Sequence, residues 1–177
     1  YRKRIDQLWA QAPDIELHSD WIVGHPGETE EDFEQTVQFC KEIGFAQSYI
    51  FKYSPRPGTL SSEVEDDVPT ADKERRNQVL LATQEELSIA KNRALIGSTV
   101  EVLVEGQSKV AGRMTGRTAQ HRLVHFESDD AGLVGQYVPV RVREALSHSC
   151  VGDLLAQDAA EESARDRAAA AGAGSVA

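Results

Sequence analysis

Apolar positions along this chain change their spacing several times, and each change marks an element. Over residues 1–12, Ile5, Leu8, Trp9 and Ala12 recur at i, i+3, i+4 and i+7, the period of one helix face, and Pro13 stops the run. Residues 16–23 read as a strand, broken by Gly24-His25-Pro26-Gly27. Thr29 then has the chemistry of an N-cap, with Glu30, Glu31 and Asp32 in the positive first turn of a second helix. Phe33, Val37, Cys40 and Lys41 are expected on its inner side, and Gly44 as its left-handed C-cap. Residues 46–53 return as a strand, so the segment is a β-turn-α-β unit. A crossover helix demands parallel strands, and parallel strands need both faces covered, so this pair is expected to belong to a larger α/β sheet or barrel.

Residues 54–59 form a stiff Pro/Gly turn, and an acidic loop leads to Pro69 and Thr70. Val79, Thr83, Leu87, Ala90 and Ala94 then predict a long connecting helix that ends at Gly97. From Ser98 the period becomes two: Val100, Val102 and Val104 alternate, then residues 123–126, then Val138, Val140 and Val142. With a closing strand near 151–155, about five strands are expected, the size of a small antiparallel β-barrel of OB type. From Ala156 on, ten of 22 residues are alanine, with no apolar face to bury, and residues 157–177 are expected to be disordered. The expected organisation is therefore 1–68 α/β, 69–95 connecting helix, 96–156 β-barrel and 157–177 tail.

Charge refines this picture. The net charge of -10 divides as 11 Lys+Arg against 18 Asp+Glu in residues 1–95, six against six in 96–150, and two against five in 151–177. An acidic total argues against unspecific nucleic-acid binding, which rests on neutralising phosphates. The barrel segment escapes that objection, because Lys109, Arg113, Arg117, Arg122, Arg141 and Arg143 fall on strand-like stretches and can form a basic face. A solvated strand face is the other reading. No apolar run approaches the roughly 18 to 20 residues a membrane-spanning helix needs, so no membrane partner is expected. Cys40 and Cys150 form no CxxC grouping, which fits a reducing, cytoplasmic location. The chain opens on Tyr1 and its single methionine is Met114, so a C-terminal piece of a longer protein is expected.

The candidate chemistry lies at two turns. A strand ending in Gly24-His25-Pro26-Gly27-Glu28 at a helix N-terminus offers free N–H groups and a favourable dipole to a ligand; it reads equally as a tight βα turn. The second strand ends in FKYSPRPGT at the same rim, bringing Lys52, Tyr53 and Arg56 there. His121, His125, His148 and Cys150 lack the tight-turn spacing of a zinc site, and no GxSxG, Walker loop or HExxH occurs.

Taken together, DWIVGHPGETEEDF and FKYSPRPGT resemble the C-terminal half of the radical S-adenosylmethionine barrel of the methylthiotransferases. The resemblance continues through NRALIG, VEVLVEG, GRT, RLVHF and GQYVPVRV, to about residue 155, where the barrel is similar to a TRAM domain. RLVHF after GRT, together with Arg56, looks like the branch acting on N(6)-isopentenyladenosine beside the tRNA anticodon. His25, Trp21 and His121 stand where Phe, Ile and Asn or Asp are expected.

The resemblance implies a C-terminal part of a TIM-like barrel followed by a TRAM domain. It also implies S-adenosylmethionine and two 4Fe-4S clusters as cofactors, with cluster ligands upstream of Tyr1 in the missing N-terminal part of the same enzyme. In this chain it would place Ile22, Val23, Gly24, Pro26, Gly27 and Glu28 at the cofactor rim. Lys52 and Arg56 would contact the tRNA anticodon arm, or else pair with the acidic loop at 63–67. Lys109, Arg113, Arg117, Arg122, Arg141 and Arg143 would bind the RNA. By itself the chain is expected to be inactive. The sister that acts on threonylcarbamoyladenosine, and a stand-alone RNA-binding module without catalysis, remain as alternatives.

Overall fold

A computed structural model describes residues 1–156; the expected disordered segment, 157–177, lies outside the described residues. The chain forms two compact units, Tyr1–Ser88 and Ile89–Ala177. The division falls inside a helix, so that most of the expected connecting helix packs as part of the first unit.

In the first unit, helix α1 (Arg2–Gln11) precedes strand β1 (His18–Val23), helix α2 (Glu30–Ile43) and strand β2 (Gln47–Lys52). β1 and β2 pair in parallel with Ile22 opposite Phe51, and the two strands form a sheet by themselves. The larger barrel expected around them is not among the described residues. Helix α2 starts as its sequence predicts. Thr29 Oγ1 accepts from Asp32 N at 3.2 Å, the Asp32 carboxylate accepts from Thr29 N at 3.0 Å, and Gly44 closes the helix at φ 65°. Its inner side is Phe33, Cys40 and Ile43 with Val37 half-buried, whereas Lys41 is exposed: a cation with no buried partner stays in water.

Helix α3 (Thr70–Arg93) departs more from expectation. Val79 is 40% exposed and Ala90 and Ala94 are exposed, while Lys73, Arg76, Leu80, Thr83, Gln84, Ser88 and Asn92 are buried. The buried face is rotated from the predicted stripe because hydrogen bonds satisfy its polar groups. Gln84 Nε2 donates to Phe45 O at 2.9 Å and Ser88 Oγ to Ala46 O at 2.9 Å. Ser48 Oγ donates to Gln84 Oε1 at 2.7 Å, and Asn77 Nδ2 to Ile50 O at 3.2 Å. Leu80 joins Ile5, Val23, Phe33, Cys40, Ile43 and Phe45 in the apolar core.

The second unit is a closed barrel of β3 (Thr99–Gln107), β4 (Arg113–Arg117), β5 (Leu123–Glu127), β6 (Tyr137–Ala145) and β7 (Cys150–Leu154), in the order β3-β4-β5-β7-β6. β5 and β7 run parallel while the other four pairings are antiparallel, which corrects the all-antiparallel expectation. The chain crosses from β5 to β6, which pairs with β3, and β7 then turns back from β6 in a tight hairpin to fill the gap beside β5, as in an OB-type barrel. Val102, Val104, Met114, Val124, Phe126, Val138, Val140, Val142 and Cys150 fill the interior. Closure is tight at two glycines: a Cβ on Gly116 would overlap Leu103 O, and one on Gly152 would overlap Arg141 O.

Candidate cofactor rim and nucleic-acid interface

The rim turn is built at the end of β1, where Gly24 takes φ 73° and leaves its α-hydrogens against the stem of Lys73. A Cβ there would fall on Lys73 Cγ, so the close approach that Gly24 permits is to α3. The Gly24 N–H donates to Glu28 Oε2 at 2.6 Å, and Glu28 Oε2 also accepts from Arg76 Nη1 at 2.7 Å. Arg76, 5% exposed, donates further to Glu28 O at 3.1 Å and Glu30 Oε2 at 3.2 Å and lies over the Phe33 ring. Lys73 Nζ donates to Asp66 at 2.6 Å, and Gly27 N to Asp67 Oδ1 at 2.8 Å. Arg75 and Arg76 hold the Glu30 carboxyl below its ordinary range, chiefly through the Arg75 hydrogen bond.

Sequence reasoning missed this clamp. Its signal was cationic residues at Lys73 and Arg76, three apart on a helix, facing acids at Glu28, Glu30 and Asp66.

The opposite side of the rim opens as a cleft of about 470 Å³ lined by Ile22, His25, Phe51, Lys52, Tyr53 and Arg56, among others. Ile22 and Phe51, opposite each other in the sheet, are 59% and 55% exposed. Lys52 pairs with Glu74 at 3.3 Å across an exposed gap, and no described residue pairs with the Arg56 guanidinium. The pairing with the 63–67 loop that was the alternative does not form for either: Asp66 is taken by Lys73 and Asp67 by Gly27.

Of the expected cofactor residues, Ile22 alone presents its side chain to the cleft. Val23 points into the core, its carbonyl accepting from Tyr53 N at 2.8 Å, and Glu28 turns back to Arg76. Pro26 and Gly27 shape the turn. An apolar Ile22–Phe51 wall fits a flat heteroaromatic group. The iron–sulfur clusters find no fit here, because both cysteines are buried in separate cores and burial pushes the Cys40 thiol up from its ordinary range.

On the barrel, β4 alternates Arg113, Thr115 and Arg117 outward with Met114 and Gly116 inward. Across it on β5, Glu127 faces Arg113, His125 faces Thr115 and Leu123 faces Arg117. Lys109 lies in the turn before β4. Arg117 pairs with Glu105 at 3.2 Å and donates to His121 O at 3.2 Å. Arg122 is turned onto Asn92 Oδ1, whose Nδ2 donates to Leu146 O at 2.6 Å. Arg141 stands on β6, across from Thr99, and Arg143 pairs with Asp153 at 3.3 Å. The six cations therefore do not share one face. Lys109, Arg113 and Arg117 accompany β4, whereas Arg141 and Arg143 lie beyond β3. Among the described residues no group of three His, Cys, Asp or Glu comes together as a metal site, and no helix is long and apolar enough to cross a membrane.

Residues 93–155, which contain the barrel, match the TRAM domain family. Over 156 residues the chain is 44% identical to the tRNA-2-methylthio-N(6)-dimethylallyladenosine synthase of Pseudomonas paraeruginosa, covering 88% of this chain and 35% of that protein. It is 47% identical to the synthase of that name from Chloroflexus aurantiacus, covering 86% of this chain and 33% of that protein. The Methylobacillus flagellatus protein of the same name is 44% identical over 88% and 35%. Over most of its length the chain is thus similar to proteins of that name, the class its motifs resemble. It spans about a third of the length of the curated relatives it matches.

Proposed function

We propose that the chain is the docking and cofactor-rim part of a radical S-adenosylmethionine methylthiotransferase that acts on N(6)-isopentenyladenosine beside the tRNA anticodon. One observation carries this reading: a rim cleft and a TRAM domain lie within a single stretch similar to the named synthases. In such an enzyme S-adenosylmethionine and two 4Fe-4S clusters supply the radical and the sulfur that replace the adenosine C2–H with a methylthio group. The residues of this chain bind and orient. Ile22 and Phe51 form the apolar wall against which the adenine of the cofactor would rest, and the Pro26-Gly27-Glu28 turn, fixed from behind by Arg76, sets the rim. Lys52 and Arg56 meet the RNA at the cleft mouth, where guanidinium and ammonium groups suit phosphate. Lys109, Arg113 and Arg117 hold the anticodon arm on the TRAM domain, with Arg122, Arg141 and Arg143 as outlying contacts. Cluster ligands and the rest of the barrel come from outside these residues, in the cytoplasm.

The test is the nucleoside profile of tRNA from a strain in which the encoding gene is deleted. Loss of 2-methylthio-N(6)-isopentenyladenosine is expected. Loss of the methylthio group from threonylcarbamoyladenosine would move the enzyme to the sister branch, and an unchanged profile would leave an RNA-binding module.

A further inference from the structure

The described residues contain two buried side-chain polar atoms with no hydrogen-bond partner, Trp21 Nε1 and His125 Nδ1. Trp21 is wedged edge-on between Phe39 and Phe45 in the first unit, which accounts for its burial. His125 is different. It sits at the middle of β5 on the outer side of the barrel, with Thr115 directly across and Arg113 nearby. Its neighbours in sequence, Val124 and Phe126, fill the core, so its outward position is set by the strand alternation. The ring as a whole is half-buried although Nδ1 is fully covered, so its exposure belongs to the other ring atoms.

Two physical arguments fix the state of that ring. Burial, and secondarily the positive charge of Arg113, hold the imidazole below its ordinary protonation range, so at neutral pH it carries no charge. A neutral imidazole bears one proton on one of two nitrogens. An unpaired buried N–H is rarer and costlier than an unpaired acceptor, so the covered Nδ1 is the bare nitrogen and the proton sits on Nε2. The side chain therefore offers a single neutral donor on the face formed by the second and third strands of an OB-type barrel, the face on which such barrels bind oligonucleotides. Arg113 and Arg117 flank it on β4.

Resting on the reading of this domain as an RNA-binding one, we propose that His125 is a specificity-determining residue, its Nε2–H donating to an acceptor on an unpaired base while Arg113 and Arg117 hold the phosphates on either side. Cations on phosphates set register and salt dependence, whereas a neutral donor on a base edge sets preference.

The two roles separate in one experiment. Synthetic anticodon stem-loops that differ at one unpaired base at a time are titrated against the 177-residue chain over a range of salt concentrations. His125→Phe keeps the ring and removes the donor. It is expected to weaken the preferred loop by about tenfold, flatten the differences among loops, and leave the salt slope unchanged. His125→Gln restores an amide donor and part of the preference. Arg113→Ala should instead weaken all loops alike and lower the slope by about one. A His125→Phe protein that keeps the wild-type base preference, or whose slope falls as in the arginine variant, overturns the proposal. Wild-type protein that binds none of the stem-loops overturns the RNA reading itself, and this proposal with it.

Discussion

Arg76 places a guanidinium in a protein interior, 5% exposed, and its cost is offset by the carboxylates of Glu28 and Glu30 and by the Glu28 carbonyl. Removing it strands Glu28, itself bonded to the Gly24 N–H. Arg76→Ala should therefore destabilise the first unit by about 3–5 kcal/mol. Trp9 and Trp21 both lie in that unit, so urea unfolding followed by tryptophan fluorescence reads it directly; a loss below about 1 kcal/mol would refute the clamp. His125 gives a pH effect of definite sign. Its folded-state pKa lies below the unfolded value, so the unfolded chain binds more protons as pH falls through and below the ordinary histidine range near 6.5. Barrel stability should fall on acidification there, and His125→Phe should flatten that part of the profile. Arg76, Lys73 and His125 were the residues least legible in the sequence. A charged residue's burial depends on partners 40 and more positions away, as Arg76 on Glu28 and Glu30 shows, and no local period records them.

Legibility at the level of elements followed the locality of the forces. Helix α2 was readable to its ends, because the Thr29–Asp32 box and the Gly44 cap are chemistry within a few residues. Thr29→Ala should cost about 1 kcal/mol in the same fluorescence assay. Helix α3 was found as an element and misread as a surface. Its inner face is polar, and polar residues satisfied by distant carbonyls look in sequence like a solvated side. The structure separates two neighbours: Leu80→Ala should cost 2–5 kcal/mol, while Val79→Ala should stay within about 0.5 kcal/mol. Comparable losses at both positions would restore the predicted stripe. Strand β4 was legible only as a strand-like stretch carrying cations, because Arg113, Thr115, Gly116 and Arg117 surround one buried apolar side chain, Met114. What makes it a strand is pairing on both sides with β3 and β5.

At the scale of the molecule the two units have unequal means of standing alone. The barrel closes on itself, has no free strand edge, and packs nine buried side chains into one core. The first unit holds two parallel strands whose face bearing Ile22, Tyr49 and Phe51 is open, each of the three more than half exposed. Parallel sheets normally cover both faces, and a two-stranded sheet is marginal without such cover. A protein of residues 89–156 is therefore expected to unfold cooperatively and to give a well-dispersed amide spectrum. One of residues 1–88 should self-associate, or show weak, broad resonances, until apolar surface is supplied to that face. Keeping α3 through Ser88 matters, because Leu80, Gln84 and Ser88 belong to the first unit's packing; ending at residue 68 should lower its stability further. If residues 1–88 prove monomeric and sharply folded while 89–156 does not, the open sheet face is self-sufficient, and the rim then needs no covering barrel to hold its shape.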